Sequence, residues 1–152
     1  MSRENAMRDI VIPVCDAGDA GWASSQAINL YHGEPVHIHL LNVQRPLPKH
    51  IAQFFNRDDL RDFHRDAGMR VLEPVIAMLD RAGVPHEDHV LVGHPAESIV
   101  RFAEDLHCQV IVDTPAKSML SMFGLGSIGS QVHHLMQSHA TETPASGVSG
   151  AT

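Results

Sequence analysis

The sequence predicts an α/β fold, a three-layer α/β/α arrangement around a parallel sheet. Three observations predict it. Short runs rich in β-branched residues recur along the chain, and continuous apolar runs of this length fit strands covered on both faces. Segments with apolar residues near a 3.6-residue period lie between those runs. The two kinds alternate as β-α-β-α-β-α-β-α, an order that gives parallel strands joined by right-handed helical crossovers.

The first strand is DIVIPVC (9–15), followed by the turn-forming DAGDAG. Residues 20–32 carry Trp22, Ile28 and Tyr31 at helical spacing, and Gly33 is a natural stop. PVHIHLLNV (35–43) is the second strand, and a loop with Pro46 and Pro48 follows. Residues 58–83 read as one long helix with an acidic start that suits the helix dipole. Its expected apolar face is Leu60, Phe63, Ala67, Val71, Val75, Met78 and Leu79, with a kink at Pro74. HEDHVLVG (86–93) is the third strand, and residues 94–107 form the next helix with Pro95 in its first turn. QVIVD (109–113) is the fourth strand, and residues 127–138 make the last helix. Residues 1–8 are read as an N-terminal extension, 9–138 as the domain, and the small, polar stretch 139–152 as a disordered tail.

The bulk numbers exclude several classes of function. The 152 residues carry a formal charge of −7, and no run of Lys or Arg offsets it, so nucleic acid is not an expected partner. No apolar stretch approaches the ~20 residues of a membrane span, and MSRENAMRD has no apolar signal core. The expectation is a cytoplasmic protein with reduced thiols. Twelve His stand against that negative charge, so net charge approaches zero near pH 6, close to the sequence pI of 5.9.

On sheets of this kind ligands bind beyond the carboxyl ends of the strands, where the strand order reverses. That edge comprises Val14–Gly18, Val43–Arg45 and Asp113–Ala116. Gly126 and Ser127 follow in a stretch that resembles a phosphate loop short of glycines.

Four pieces, IVIPVCD, HIHLLNV, VLVGHPAESIVRFAEDLHCQVIV and GSIGSQVHHL, in this order and spacing, resemble the universal stress protein family over roughly residues 8–138. The resemblance implies an adenine-nucleotide-hydrolase-like sheet of four strands, or five, in the order 3-2-1-4(-5). It also implies a small cytoplasmic stress-response protein, commonly a homodimer, from a family in which one branch binds ATP and another does not. The ATP branch is marked by Gly-x-x-Gly, nine residues, then Gly-Ser or Gly-Thr. Counted back from Gly126, the two glycine positions fall on Asp113 and Ala116. Asp113 would set a carboxylate beside phosphate oxygens, and Pro115 removes an N–H donor. The first-strand Asp position falls on Cys15, with Asp16 one residue later. The degenerate nucleotide site is therefore Val14, Cys15, Asp16, Val43, Asp113, Ala116, Gly126 and Ser127. Only Gly126, Ser127 and the helix start after them keep the character of an anion site.

The expected function is that of a non-catalytic regulatory or binding protein with little or no ATP binding and no cofactor. The alternative is an ATP- or AMP-binding sensor, with Mg²⁺ and at most slow hydrolysis. No GxSxG and no supported Ser-His-Asp set argues for an enzyme. The expected partners are an unidentified protein and a second copy of the chain. The latter pairs through a surface other than the family's fifth strand, because SHATETPASGVSGAT has neither the β-branched content nor the apolar face of a strand. Either Met119–Phe123 or the tail then covers the edge of the fourth strand, or the chain dimerises by another surface.

His37 and His39 share one face of a strand and could hold zinc given a third ligand. Partly exposed His at the ends of elements, including His89, His94 and the adjacent His133 and His134, is the expected arrangement, and no metal site is assigned. Cys15 and Cys108 should lie on the order of 15 Å apart, beyond disulfide reach. Asp16 and Asp113 are a carboxylate pair that the sheet edge could bring together, to raise one pKa or hold Mg²⁺.

Overall fold

The computed structural model describes residues 7–111, 132 and 135–137. The chain divides into a unit spanning Met1–Val112 and a second spanning Asp113–Thr152. In the second, residues 132 and 135–137 are helical, inside the span expected for the last helix. Met119–Phe123, the tail and any fifth strand lie outside the described residues.

In the first unit, β1 (Arg8–Pro13), β2 (Val36–Gln44), β3 (His86–Val92) and β4 (Gln109–Val110) form one sheet of order β3-β2-β1-β4. All three pairings are parallel, as the alternation predicts. Pro13 closes β1 opposite Leu41, and β1 meets β4 at Ile10–Gln109 and Val11–Val110. Ile111, the next residue, still donates its N–H to the carbonyl of Val11 at 2.9 Å.

Strand residues alternate between two faces. One carries Ile10, Ile12 and Val14 from β1 and its end, with Val36, Ile38 and Leu40 from β2, all buried. Helices α1 (Ala20–Gly33) and α3 (Arg57–Ala82) cover it with Ala23, Ala27, Leu72, Val75 and Leu79. Full burial of a Val or Leu side chain contributes about 1.5–3 kcal/mol, so this face is the main source of cohesion. The buried line of α3 is His64, Gly68, Leu72, Val75 and Leu79. This corrects the expected face, since Phe63 and Met78 are more than 40% exposed. The sequence pattern follows apolar residues, whereas the true stripe begins with a histidine and a glycine. Gly68 lies against Val90 and Asn42, where a Cβ would stand only 2.5 Å from Val90 Cγ1.

The ends of α3 are conventional. Asn56 accepts the Asp59 N–H at 2.8 Å, and Gly83 leaves the helix in the left-handed region at φ 74°. The helix runs on through Pro74 to Ala82. The short α2 (Lys49–Ala52) stands where a plain loop was expected, the Pro48 carbonyl accepting the N–H groups of Ile51 and Ala52. Helix α4 (Pro95–Leu106) lies on the opposite face. Its buried residues Ala96, Ile99, Val100 and Ala103 fall at i, i+3, i+4 and i+7, one continuous stripe. No helix among the described residues is long and apolar enough to cross a membrane.

Candidate functional site

The carboxyl edge of the sheet gathers four of the expected site residues. Val14 is fully buried, and both its backbone groups are engaged. Its N–H donates to Leu41 O at 2.9 Å, and its carbonyl accepts from Asn42 Nδ2 at 2.8 Å. Cys15 is exposed and lies beyond β1 rather than within it. Asp16 caps a 3-10 turn at Ala17–Asp19, its Oδ1 accepting the Gly18 N–H at 2.8 Å. Val43 sits half-buried near the end of β2 opposite Leu91. Asp113, Ala116, Gly126 and Ser127 lie outside the described residues, and so does any approach of Asp16 to Asp113.

Three residues that were not anticipated shape this edge. Asp19 is 5% exposed, and its Oδ2 accepts the N–H groups of Cys15 at 2.9 Å and Asp16 at 3.2 Å. Together with Asp16 it forms a reciprocal capping box. The Asp-x-x-Asp spacing at 16–19 is the signal that reveals it. Asn42 is buried between Val14 O and Gln44, whose Nε2 donates to Asn42 Oδ1 at 2.7 Å. His64 is buried, and its Nδ1 has no hydrogen-bond partner among the described residues. No local motif announces His64, because its burial follows only from the true face of α3.

A second constellation lies on the α4 face, in the amino-terminal half of the strands. Here the expectation of partly exposed His at element ends fails. His39 lies mid-strand in β2 and is 4% exposed. His89 lies inside β3, with its Nε2 3.0 Å from His39 Nδ1. The two rings stack at a centroid distance of 5.2 Å, and Phe102 of α4 lies against both. Asp9 Oδ1 accepts from His37 Nδ1 at 3.1 Å and from His39 Nε2 at 3.0 Å. The far nitrogen of His37, Nε2, is 2.8 Å from Glu87 Oε2. His94 stands apart, as the N-cap of α4.

These contacts set the local charge preferences. The hydrogen bond from His39 holds the Asp9 carboxyl below its ordinary value against an opposing effect of burial, and His37 adds to it. Burial, then the positive charge that His39 can carry, lowers His89. Burial also pushes the Cys108 thiol up to about 11, with the Asp9 charge adding to it. At His86, burial opposes the charged ring, but hydrogen bonds to Asp80 and Asp88 outweigh it and raise its pKa. Cys15 and Cys108 are both reduced, as the strand geometry implies.

Comparison with known proteins gives a consistent answer. The family model described as Universal stress protein family matches residues 7–137. A protein of this family from Burkholderia pseudomallei has the same fold at a TM-score of 0.61 and 17% identity, covering 90% of this chain and 92% of that one. The universal stress protein from Lactobacillus plantarum gives 0.56 and 19%, covering 84% and 92%. A universal stress protein from Archaeoglobus fulgidus, in complex with dAMP, gives 0.55 and 16%, covering 84% and 90%. No curated protein matched by sequence. With a parallel β3-β2-β1-β4 sheet and a family match over residues 7–137, the chain belongs to the universal stress protein family.

Proposed function

We propose that this universal stress protein works by binding rather than by catalysis, as a regulatory protein with little or no affinity for ATP. One observation carries the reading. The N–H groups of Cys15 and Asp16, donors at the carboxyl end of β1 that could face a ligand, are already taken by the Asp19 carboxylate. A nucleotide arriving there meets acceptors instead of donors, and Asp16 adds a second acidic side chain to the same turn. In the sequence, Asp113 and Pro115 bring a carboxylate and a missing donor to the loop where the phosphates would lie. Each of these works against a polyanion.

The competing reading is an adenine-nucleotide sensor, the ligand class of the dAMP-bound relative. Thermal melting with and without ATP–Mg²⁺ separates the two. Ligand at 100 times its dissociation constant adds about 2.7 kcal/mol, a rise of roughly 5–11 °C for a domain of this size. We expect no shift at millimolar ATP or AMP. A saturable shift of that size would overturn the proposal.

A further inference from the structure

On the α4 face, donor atoms of His37, His39 and Glu87 come within 4.8 Å of one another. The geometry points to a divalent transition-metal site, suited to zinc, formed by His37 Nε2, His39 Nδ1 and Glu87 Oε2, with the fourth position open to water and Asp9 as the positioning residue. It owes nothing to the nucleotide edge and would stand whether or not ATP binds.

Spacing is the first argument. Zinc bonds of about 2.0–2.2 Å in a tetrahedral site place neighbouring donor atoms roughly 3.3–3.6 Å apart. His37 Nε2 to Glu87 Oε2 is 2.8 Å and His39 Nδ1 to Glu87 Oε2 is 3.8 Å, while the 3.0 Å hydrogen bond between His39 Nδ1 and His89 Nε2 is a contact that the ion would replace. The two Glu87 distances bracket the required edge, so small side-chain movements would bring the three donors onto one ion.

Orientation is the second. A metal-bound imidazole must present a lone pair, and its other nitrogen ordinarily donates to a carboxylate that fixes the tautomer. A single atom, Asp9 Oδ1, accepts from both His37 Nδ1 and His39 Nε2. With an ion bound and both rings neutral, that arrangement would leave the lone pairs on His37 Nε2 and His39 Nδ1, the two nitrogens that face Glu87.

Placement is the third. The registers Asp9–His37 and His39–Glu87 put residues of three adjacent strands on one face. His39 is an inner anchor at 5% side-chain exposure, whereas His37 and Glu87 are 37% and 52% exposed, which gives an ion a path inward. Two imidazoles and a carboxylate form a borderline set that favours zinc over magnesium or calcium. Asp9, His39 and Cys108 form a second close triple, but it holds only one imidazole, and its carboxylate already accepts from two rings.

The test is isothermal titration of ZnCl₂ into the metal-stripped full-length protein in a non-chelating buffer, with Co²⁺ absorption as a reporter of coordination. One equivalent should bind, and bound Co²⁺ should show the intense visible bands of tetrahedral geometry. His37→Gln and Glu87→Gln, both at accessible positions, should each weaken binding at least 10-fold with circular dichroism unchanged. Asp9→Asn should weaken it 10–100-fold, the range for outer-shell partners, and Cys108→Ser should leave it unaltered. Absence of a one-equivalent isotherm overturns the site. So does an isotherm insensitive to His37→Gln and Glu87→Gln, which would place the ion among the other histidines. Loss of binding in Cys108→Ser alone would assign the ion to the second triple instead and refute the site as drawn.

Discussion

Replacing Gly68 by alanine sets two well-defined effects against each other. Inside a helix, alanine is favoured over glycine by about 1 kcal/mol, so on a solvent-facing turn the change would stabilise. At Gly68 the new Cβ would stand 2.5 and 2.7 Å from the two Cγ atoms of Val90 and 3.1 Å from Asn42 Oδ1. Carbon–carbon contacts are comfortable only near 3.5–4.0 Å, and valine has little rotamer freedom with which to yield. Overpacking of this kind costs about 1–3 kcal/mol. Steric cost therefore exceeds the propensity gain, for a net loss of about 1 kcal/mol. Urea denaturation followed by circular dichroism should show a lower midpoint at unchanged slope, and melting should fall by about 2–4 °C. The variant Val90→Ala removes both clashing atoms, and in that background Gly68→Ala should become stabilising. The double-mutant cycle should then show a coupling of about 1–3 kcal/mol. If Gly68→Ala stabilised the otherwise unaltered protein by the full propensity gain, α3 would not approach β3 as closely as described.

The remaining predictions are more local. The pKa of His86 is raised in the folded state by Asp80 and Asp88, so its contribution is complete below the unfolded value of about 6.5 and is lost as pH rises through the folded one. The melting difference between the unaltered protein and His86→Gln should accordingly be larger at pH 6 than at pH 8.5, and equal differences would refute the ion pairs. Alkylation at pH 8 should label exposed Cys15 and spare buried Cys108, whose thiol is held up to about 11, and mass spectrometry of the peptides reads the site directly. If Asp113 and Ala116 are what exclude ATP, Asp113→Gly with Ala116→Gly should raise affinity in calorimetry, Asp113→Gly alone supplying most of the gain. An unchanged double variant would remove the charge argument.

The order of elements and the sheet topology were legible because each strand is a compact β-branched run and each crossover has helical spacing. Less legible was anything decided by a non-apolar residue inside the protein. The face of α3 was misassigned because its buried stripe starts with His64 and Gly68, which hydropathy does not mark as interior. The same blindness applies to His39, buried because Asp9 and His89 satisfy both its nitrogens across 30 and 50 residues of sequence. A strand pattern identifies His37 and His39 as neighbours, but only the registers of β1 and β3 bring Asp9, Glu87 and His89 to them. The closed turn after β1 was half visible, since the Asp-x-x-Asp spacing lies in the sequence while its occupation of two N–H donors is a matter of geometry.

Pro13 has a mechanical consequence for the sheet. Successive residues of a parallel strand address its two neighbours in turn. Val14 donates to Leu41 on the β2 side, and Val11 O receives Ile111 on the β4 side, so position 13 also addresses β4. Proline has no N–H to offer there, and the seam between β1 and β4 lacks a donor at the rung after Val11. β2 and β3, by contrast, are registered over seven consecutive pairs. The strand order reverses at the seam between β1 and β4, so the rung without a proline N–H lies beside the crevice where sheets of this order bind ligands.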